Sequence, residues 1–246
     1  SGICPKPSAA IHDLLGMPQA KKSALRCDTM ANASFTRDEV ILALDVLYSN
    51  GGIAPEPESV EIQQLSRLLH RLPIHPVATR KKDFRTPTGV QAQISRYQHR
   101  YENMVGVMFY KIDSEFENRY DELHAIAKAI RRNVAAFEET IFGDPLEGEE
   151  FPEGILLGHL HRIVETRDSA KLVPGKRCEI CQIDTSDIYP GCSNLMSMHL
   201  AVPITELDGN RRYQAKEFIT VCPNCHAALH RRRPWLTKEN CGELLR

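Results

Sequence analysis

The chain carries almost no net charge. Its 31 Lys and Arg are met by 32 Asp and Glu, leaving −1 at neutral pH, so no global positive field advertises a polyanionic partner. It has no apolar run near the ~18 residues that a membrane-crossing helix needs, which excludes a helical span and a membrane partner from the reading. The first thirty residues hold Cys4, several prolines and Lys21-Lys22, and lack the unbroken apolar stretch of a secretion signal. Neither an internal repeat nor a low-complexity tract is present. What remains is ordinary globular material. With 42% hydrophobic and 26% charged residues in 246, it can bury a core in one large domain or two small ones.

The charge that exists is unevenly spread. Glu138 to Glu153 contains seven acidic residues and no basic one, whereas Arg211 to Arg246 has eight Lys and Arg against three Glu. Cysteine usage is uneven too. Of eight cysteines, four stand in two C-x-x-C pairs, while Cys4, Cys27, Cys192 and Cys241 are scattered. That pattern suits metal ligation in a reducing cytoplasm better than a disulfide framework.

Residues 1–33 read as a weakly ordered tail. A first helix is expected from Thr36 to about Tyr48, with a Thr36/Glu39 capping box and a stripe of Val40, Ile41, Leu44 and Leu47. A second should run from Ser59 to Leu72 on Ile62, Leu65, Leu69 and Leu72, and a third from Thr86 to about Tyr101. Thr86 is a good N-cap for that third helix and Pro87 fits its first position. Val90, Ile94, Tyr97 and Tyr101 face inward there, leaving Gln91, Gln93, Arg96 and Arg100 outward. This 34–110 region is compatible either with a helix-turn-helix-like domain that recognises DNA or with a small helical domain whose polar face is merely solvated. A long helix over Ser114–Phe142, with Phe116, Tyr120, Leu123, Ile126, Ala127, Ile130 and Val134 as its stripe, then makes a connector across 111–150. Its apolar face could serve a homodimer or internal packing. The acidic loop that follows is the best domain boundary, and Ile155–Ala170 again reads as helix.

The chemistry lies in 151–246. Arg177-Cys178-Glu179-Ile180-Cys181 is answered by Val221-Cys222-Pro223-Asn224-Cys225-His226, and two such knuckles supply the four thiolates of a tetrahedral structural Zn²⁺. Between them lies a β-prone stretch, Met196 to Ile204. After the second knuckle, His226 and His230 stand four apart, so on a helix both imidazoles share one face and can hold one ion. A His on the strand could complete the set. Arg231, Arg232 and Arg233 follow at once, where a phosphate backbone could lie.

Cys178–Leu236 resembles the HNH (ββα-metal) endonuclease family, especially its Cys₄-zinc branch of McrA-like, type IV modification-dependent restriction enzymes. Val221-Cys-Pro-Asn-Cys-His-Ala-Ala-Leu-His230, with Arg231 to Leu236 after it, is similar to that branch. Leu160-His161-Arg162 and Phe84-Arg-Thr-Pro-Thr-Gly-Val90 fit it as well. The resemblance implies a mainly α chain with a small α+β part: a helical N-terminal domain followed by a zinc-stabilised ββα-metal domain. It implies a prokaryotic, cytoplasmic DNA endonuclease acting on foreign or modified DNA. Cys178, Cys181, Cys222 and Cys225 would bind structural zinc, and His199, His226 and His230 a catalytic Mg²⁺, Mn²⁺ or Ni²⁺. Glu217 would stand where many members carry the residue that orients the base. Contacts to DNA would come from Arg85, Thr86, Gln91 and Arg96 together with Arg231 to Arg233. The family strand reads His-His-x-x-Pro, metal ligand then general base. Here Pro203 puts His199 in the metal position and Leu200 in the base position. Either the register slips, another group serves as base, or the chain binds DNA without cutting it well.

Overall fold

The computed structural model describes residues 32–99, 107–138, 154–192, 194–232 and 235–245. The fold is mainly α with a small two-stranded sheet. The N-terminal tail (up to residue 31), the acidic loop, Arg100, Tyr101 and Arg233 lie outside the described residues.

Helix α1 (Arg37–Ser49) is the hub. Every residue from Asp38 to Leu47 is buried, the carboxylates of Asp38, Glu39 and Asp45 included, so its neighbours enclose it on all sides. Helices α2 (Val60–Arg71), α3 (Pro87–Gln98), α4 (Val107–Glu115) and α5 (Tyr120–Arg132) pack against it. The starts follow the sequence signals. Thr36 N–H donates to the Glu39 carboxylate at 2.8 Å, Ser59 Oγ accepts from Ile62 N–H, and Thr86 Oγ1 accepts from Gly89 N–H with Pro87 in the first turn. The expected inward residues of α2 and the described ones of α3 are all buried.

The single long helix expected over Ser114–Phe142 is three pieces in its described part. α4 ends at Glu115, α5 begins at Tyr120, and α6 (Val134–Glu138) follows Asn133. The first break turns on Asn118, whose φ of +61° is a left-handed conformation that Asn tolerates better than most residues. At the second, the buried Asn133 side chain donates to the carbonyls of Ala129 and Leu207 and accepts from Gly209 N–H. It clasps the C-terminal loop to the bundle. Phe116, Leu123, Ile126, Ala127, Ile130 and Val134 of the expected stripe are buried within this chain, and Tyr120 is exposed.

Helix α7 (Ile155–Ser169) links the bundle to the sheet. Its first amides, Ile155 and Leu156, donate to the buried Asp38 carboxylate of α1 at 2.9 and 3.2 Å. That carboxylate can come so close because residue 154 is glycine. Gly154 has φ +96°, and a Cβ there would stand 2.3 Å from Asp38 Oδ1. Burial pushes the Asp38 carboxyl up to about 6, against the pull of those amides. The short helix α8 (Thr185–Ile188) precedes strand β1 (Ser197–Leu200), which pairs antiparallel with β2 (Phe218–Val221), Leu200 opposite Phe218 and His199 opposite Ile219. Helix α9 (Pro223–Leu229) follows β2 directly.

Side chains alternate across the two strands. Leu200 and Phe218 join the large apolar cluster that runs from α1 through α7. Ile219 and Val221 face a smaller one containing Cys178, Cys222, Cys225 and Leu229. The sheet is therefore the wall between a helical core and a cysteine-bearing core.

Candidate metal centre

The smaller core is built around thiols. Cys178 and Cys181 come from the loop after α7, Cys222 from the N-cap of α9 and Cys225 from its first turn. All four sulfurs lie within 4.8 Å of one another. Cys181 Sγ and Cys222 Sγ are 3.7 Å apart, close to the roughly 3.8 Å edge of a tetrahedron with Zn–S bonds of about 2.3 Å. The second knuckle is tied to the first, since Glu179 N–H donates to Thr220 O and Thr220 N–H donates to Glu179 Oε1. Burial alone would raise the Cys178 thiol, but hydrogen bonds from the backbone at Cys181, Cys222 and Ile180 outweigh it and bring it to about 7. Cys225, buried among the other thiols, is pushed well up. Crowded thiols with opposed proton affinities are relieved when one cation takes all four as thiolates. The set fits a zinc ion.

A second group of four donors also draws on α9. His226 and His230 come from that helix and its C-cap, His199 from β1, and Glu165 from α7, with all four ligand atoms within 4.8 Å. His226 Nε2 is 3.0 Å from Glu165 Oε1 and 3.0 Å from His230 Nε2. His199 Nδ1 is 2.9 Å from Glu165 Oε2, yet so misaligned that it has no hydrogen-bond partner. Close approach without hydrogen-bond geometry is how donors to a shared cation are placed. Ser197 Oγ, 3.0 Å from His226 Nδ1, fixes that ring from behind, as outer partners of metal-binding histidines do. Burial opposes charge on Glu165, but the neighbouring His199 and His226 prevail and hold its carboxyl far below the usual range. Burial, with the other imidazoles adding to it, lowers His230 to about 3. A Glu165 carboxylate held anionic beside a His230 imidazole held neutral leaves lone pairs on both for a cation.

Several expected site residues lie elsewhere. The Glu217 carboxylate pairs with Arg211 and accepts from Gln214 N–H at 2.9 Å, so it caps its own turn, and the acid in the histidine cluster is Glu165. Arg85 is not available to DNA. It is buried, its guanidinium spans Glu39 at 2.6 and 2.9 Å, and it also donates to the carbonyls of Ala33 and Ser34. The Phe-Arg-x-Pro element thus ties α3 to α1. Thr86 caps α3, Gln91 is half-buried, Arg96 is exposed on the same helix, Arg231 is exposed and Arg232 half-buried. The Leu200 side chain points into the helical core, fully buried. A strand residue next to His199 must face the opposite way.

His161 and Trp235 lie in stretches that resemble the family but carry no assigned role in the sequence, and Glu165 is not singled out by it. His161 and Glu165 sit four apart on α7, a spacing the sequence does show. The Trp235 ring meets His161 edge-on at 4.9 Å. The chain matches no family model, no curated protein and no solved structure. No helix among the described residues is long and apolar enough to cross a membrane.

Proposed function

We propose that the chain is a metal-dependent DNA endonuclease of the HNH type, acting on foreign or modified DNA. One observation carries the reading: Glu165, His199, His226 and His230 converge from three elements onto one point, beside a four-thiol cluster in a strand–strand–helix unit. A divalent ion held by those four side chains would stabilise charge building on a phosphate and its leaving oxygen. The residues themselves do the positioning. Ser197 orients the His226 ring, and Leu200 N–H donates to Glu165 Oε2 at 2.9 Å, fixing the carboxylate against β1. His226 and His230 form the more accessible side, with 26% and 17% of their side chains exposed, against 1% for His199. Substrate would approach from that side, where exposed Arg231 begins the basic run that would meet the backbone phosphates.

The zinc-loaded protein is expected to nick supercoiled plasmid with Mn²⁺, Ni²⁺ or Mg²⁺. His226→Ala and Glu165→Gln should each lower the rate by about 10² or more. Metal-independent nicking, or variants as active as the parent, would overturn the assignment. A second reading, a DNA-binding protein that keeps the scaffold without efficient cleavage, is favoured by the inward-facing Leu200. It predicts salt-sensitive DNA binding with no nicking under any of the three ions.

A further inference from the structure

Strand β1 has one edge on β2 and the other towards α7. Leu200 stands opposite Phe218, and the neighbouring Ala201 N–H donates to Glu217 O on the β2 side. Backbone groups alternate between the two edges of an antiparallel strand, so the N–H and C=O of Leu200 point away from β2. The sheet has no third strand among the described residues, and α7 packs there instead. Two α7 side chains, one turn apart, take both groups. Leu200 N–H donates to Glu165 Oε2 at 2.9 Å, and His161 Nε2 donates to Leu200 O at 2.9 Å. The His161 ring is fully buried, and its other nitrogen has no hydrogen-bond partner among the described residues. Its bond to Leu200 is therefore what offsets the cost of burying a polar ring.

The clamp closes on the residue that follows His199. His199 Nδ1 lies 2.9 Å from Glu165 Oε2 with no hydrogen-bond partner among the described residues, so the course of β1 aims that nitrogen. Consecutive strand residues face opposite ways. Fixing the Leu200 peptide groups, with the Leu200 side chain in the helical core, therefore sets the direction of the His199 ring. Glu165, the other jaw of the clamp, belongs to the four-donor cluster, whereas His161 stands outside it.

We infer that His161 is a positioning residue for that cluster: through the Leu200 carbonyl it holds β1 where His199 and Glu165 meet at one ion, without binding the ion itself. This role rests on the metal-centre part of the proposed function and is independent of whether DNA is cut. Partners that orient metal ligands in this way typically change affinity by about 10- to 100-fold when removed.

Two variants separate the N–H from the ring. His161→Gln keeps an N–H near the Nε2 position and removes the ring. His161→Phe keeps a ring beside Trp235 and leaves Leu200 O without its donor. Each full chain, with zinc in the Cys₄ cluster, is titrated with Co²⁺ at the second site without DNA and followed by visible absorption. His161→Gln should bind within about threefold of the parent and keep its bands, while His161→Phe should bind about tenfold or more weakly with altered bands. Amide exchange along β1, read before Co²⁺ is added, should be faster in His161→Phe and unchanged in His161→Gln. A role limited to packing ranks the variants the other way, Phe above Gln. That ranking, or a tenfold loss in His161→Gln, would overturn the inference, and the second criterion holds even where His161→Phe fails to fold. A parent that takes up no Co²⁺ removes the metal centre and the positioning role together, whereas normal uptake by the parent with the wrong ranking removes the positioning role alone.

Discussion

The two four-donor clusters differ in what surrounds them. The cysteines lie in the smaller core among Ile180, Ile219, Val221 and Leu229, a cluster too small to hold a fold by apolar burial alone. The histidine and glutamate donors instead sit where α7, β1 and α9 meet, braced by the large helical core behind Leu200. The first cluster thus substitutes for a core, and the second is positioned by one. An ion in the thiol site contributes folding free energy. Donors in the other site are held near one another by the fold before any ion arrives, as a reactive centre needs.

Breaking the thiol site should therefore have the largest effect. Cys222→Ser, or chelation of the parent, should unfold the β1–β2–α9 region, since structural zinc in small modules contributes about 10 kcal/mol or more. Loss of cooperative thermal melting, followed by circular dichroism, checks this. Leu200→His comes next. It supplies an imidazole at the base position of the resembled family but buries it opposite Phe218 in the helical core. A loss of about 2–4 kcal/mol in urea unfolding is expected, with no gain in nicking. Enhanced nicking with unchanged stability would show that residue 200 can turn towards the metal side.

These two sites also mark what sequence could and could not disclose. The thiol cluster was legible because each knuckle is local, two cysteines three apart, and needs only the chain to return once. The caps at Thr36, Ser59 and Thr86 were legible for the same reason. Glu165 was not singled out, because a helical carboxylate acquires its meaning only when β1 and α9 are laid beside it. Arg85 is a DNA contact only by the family resemblance of its stretch, and Glu39, 46 residues earlier, claims its guanidinium. The breaks at Asn118 and Asn133 were hidden by an apolar period that continues through both. Leu200, by contrast, follows from strand alternation once His199 is fixed on the metal side.

Asp38 offers a finer contrast, since it caps the helix that carries Glu165 without touching either cluster. Its folded carboxyl titrates at about 6, above the ordinary Asp value. The folded state therefore binds the proton more tightly than the unfolded chain, and stability declines as pH rises from about 4 to about 6. Asp38→Asn should remove a slope on the order of 2 kcal/mol from the difference between unfolding at pH 4 and pH 7. An unchanged slope would place the charge penalty elsewhere. The smallest effect on stability belongs to His226→Ala. Its ring is partly exposed and braces no core, so ion-free unfolding should shift by less than about 1 kcal/mol, while uptake at the second site is lost.

Counting ions per chain by native mass spectrometry tests the division of labour most directly. The account predicts two bound divalent ions in the parent and one in a folded His226→Ala/His230→Ala variant, the remaining ion being zinc in the thiol cluster. A parent holding one ion, with the double variant unchanged, would contradict it.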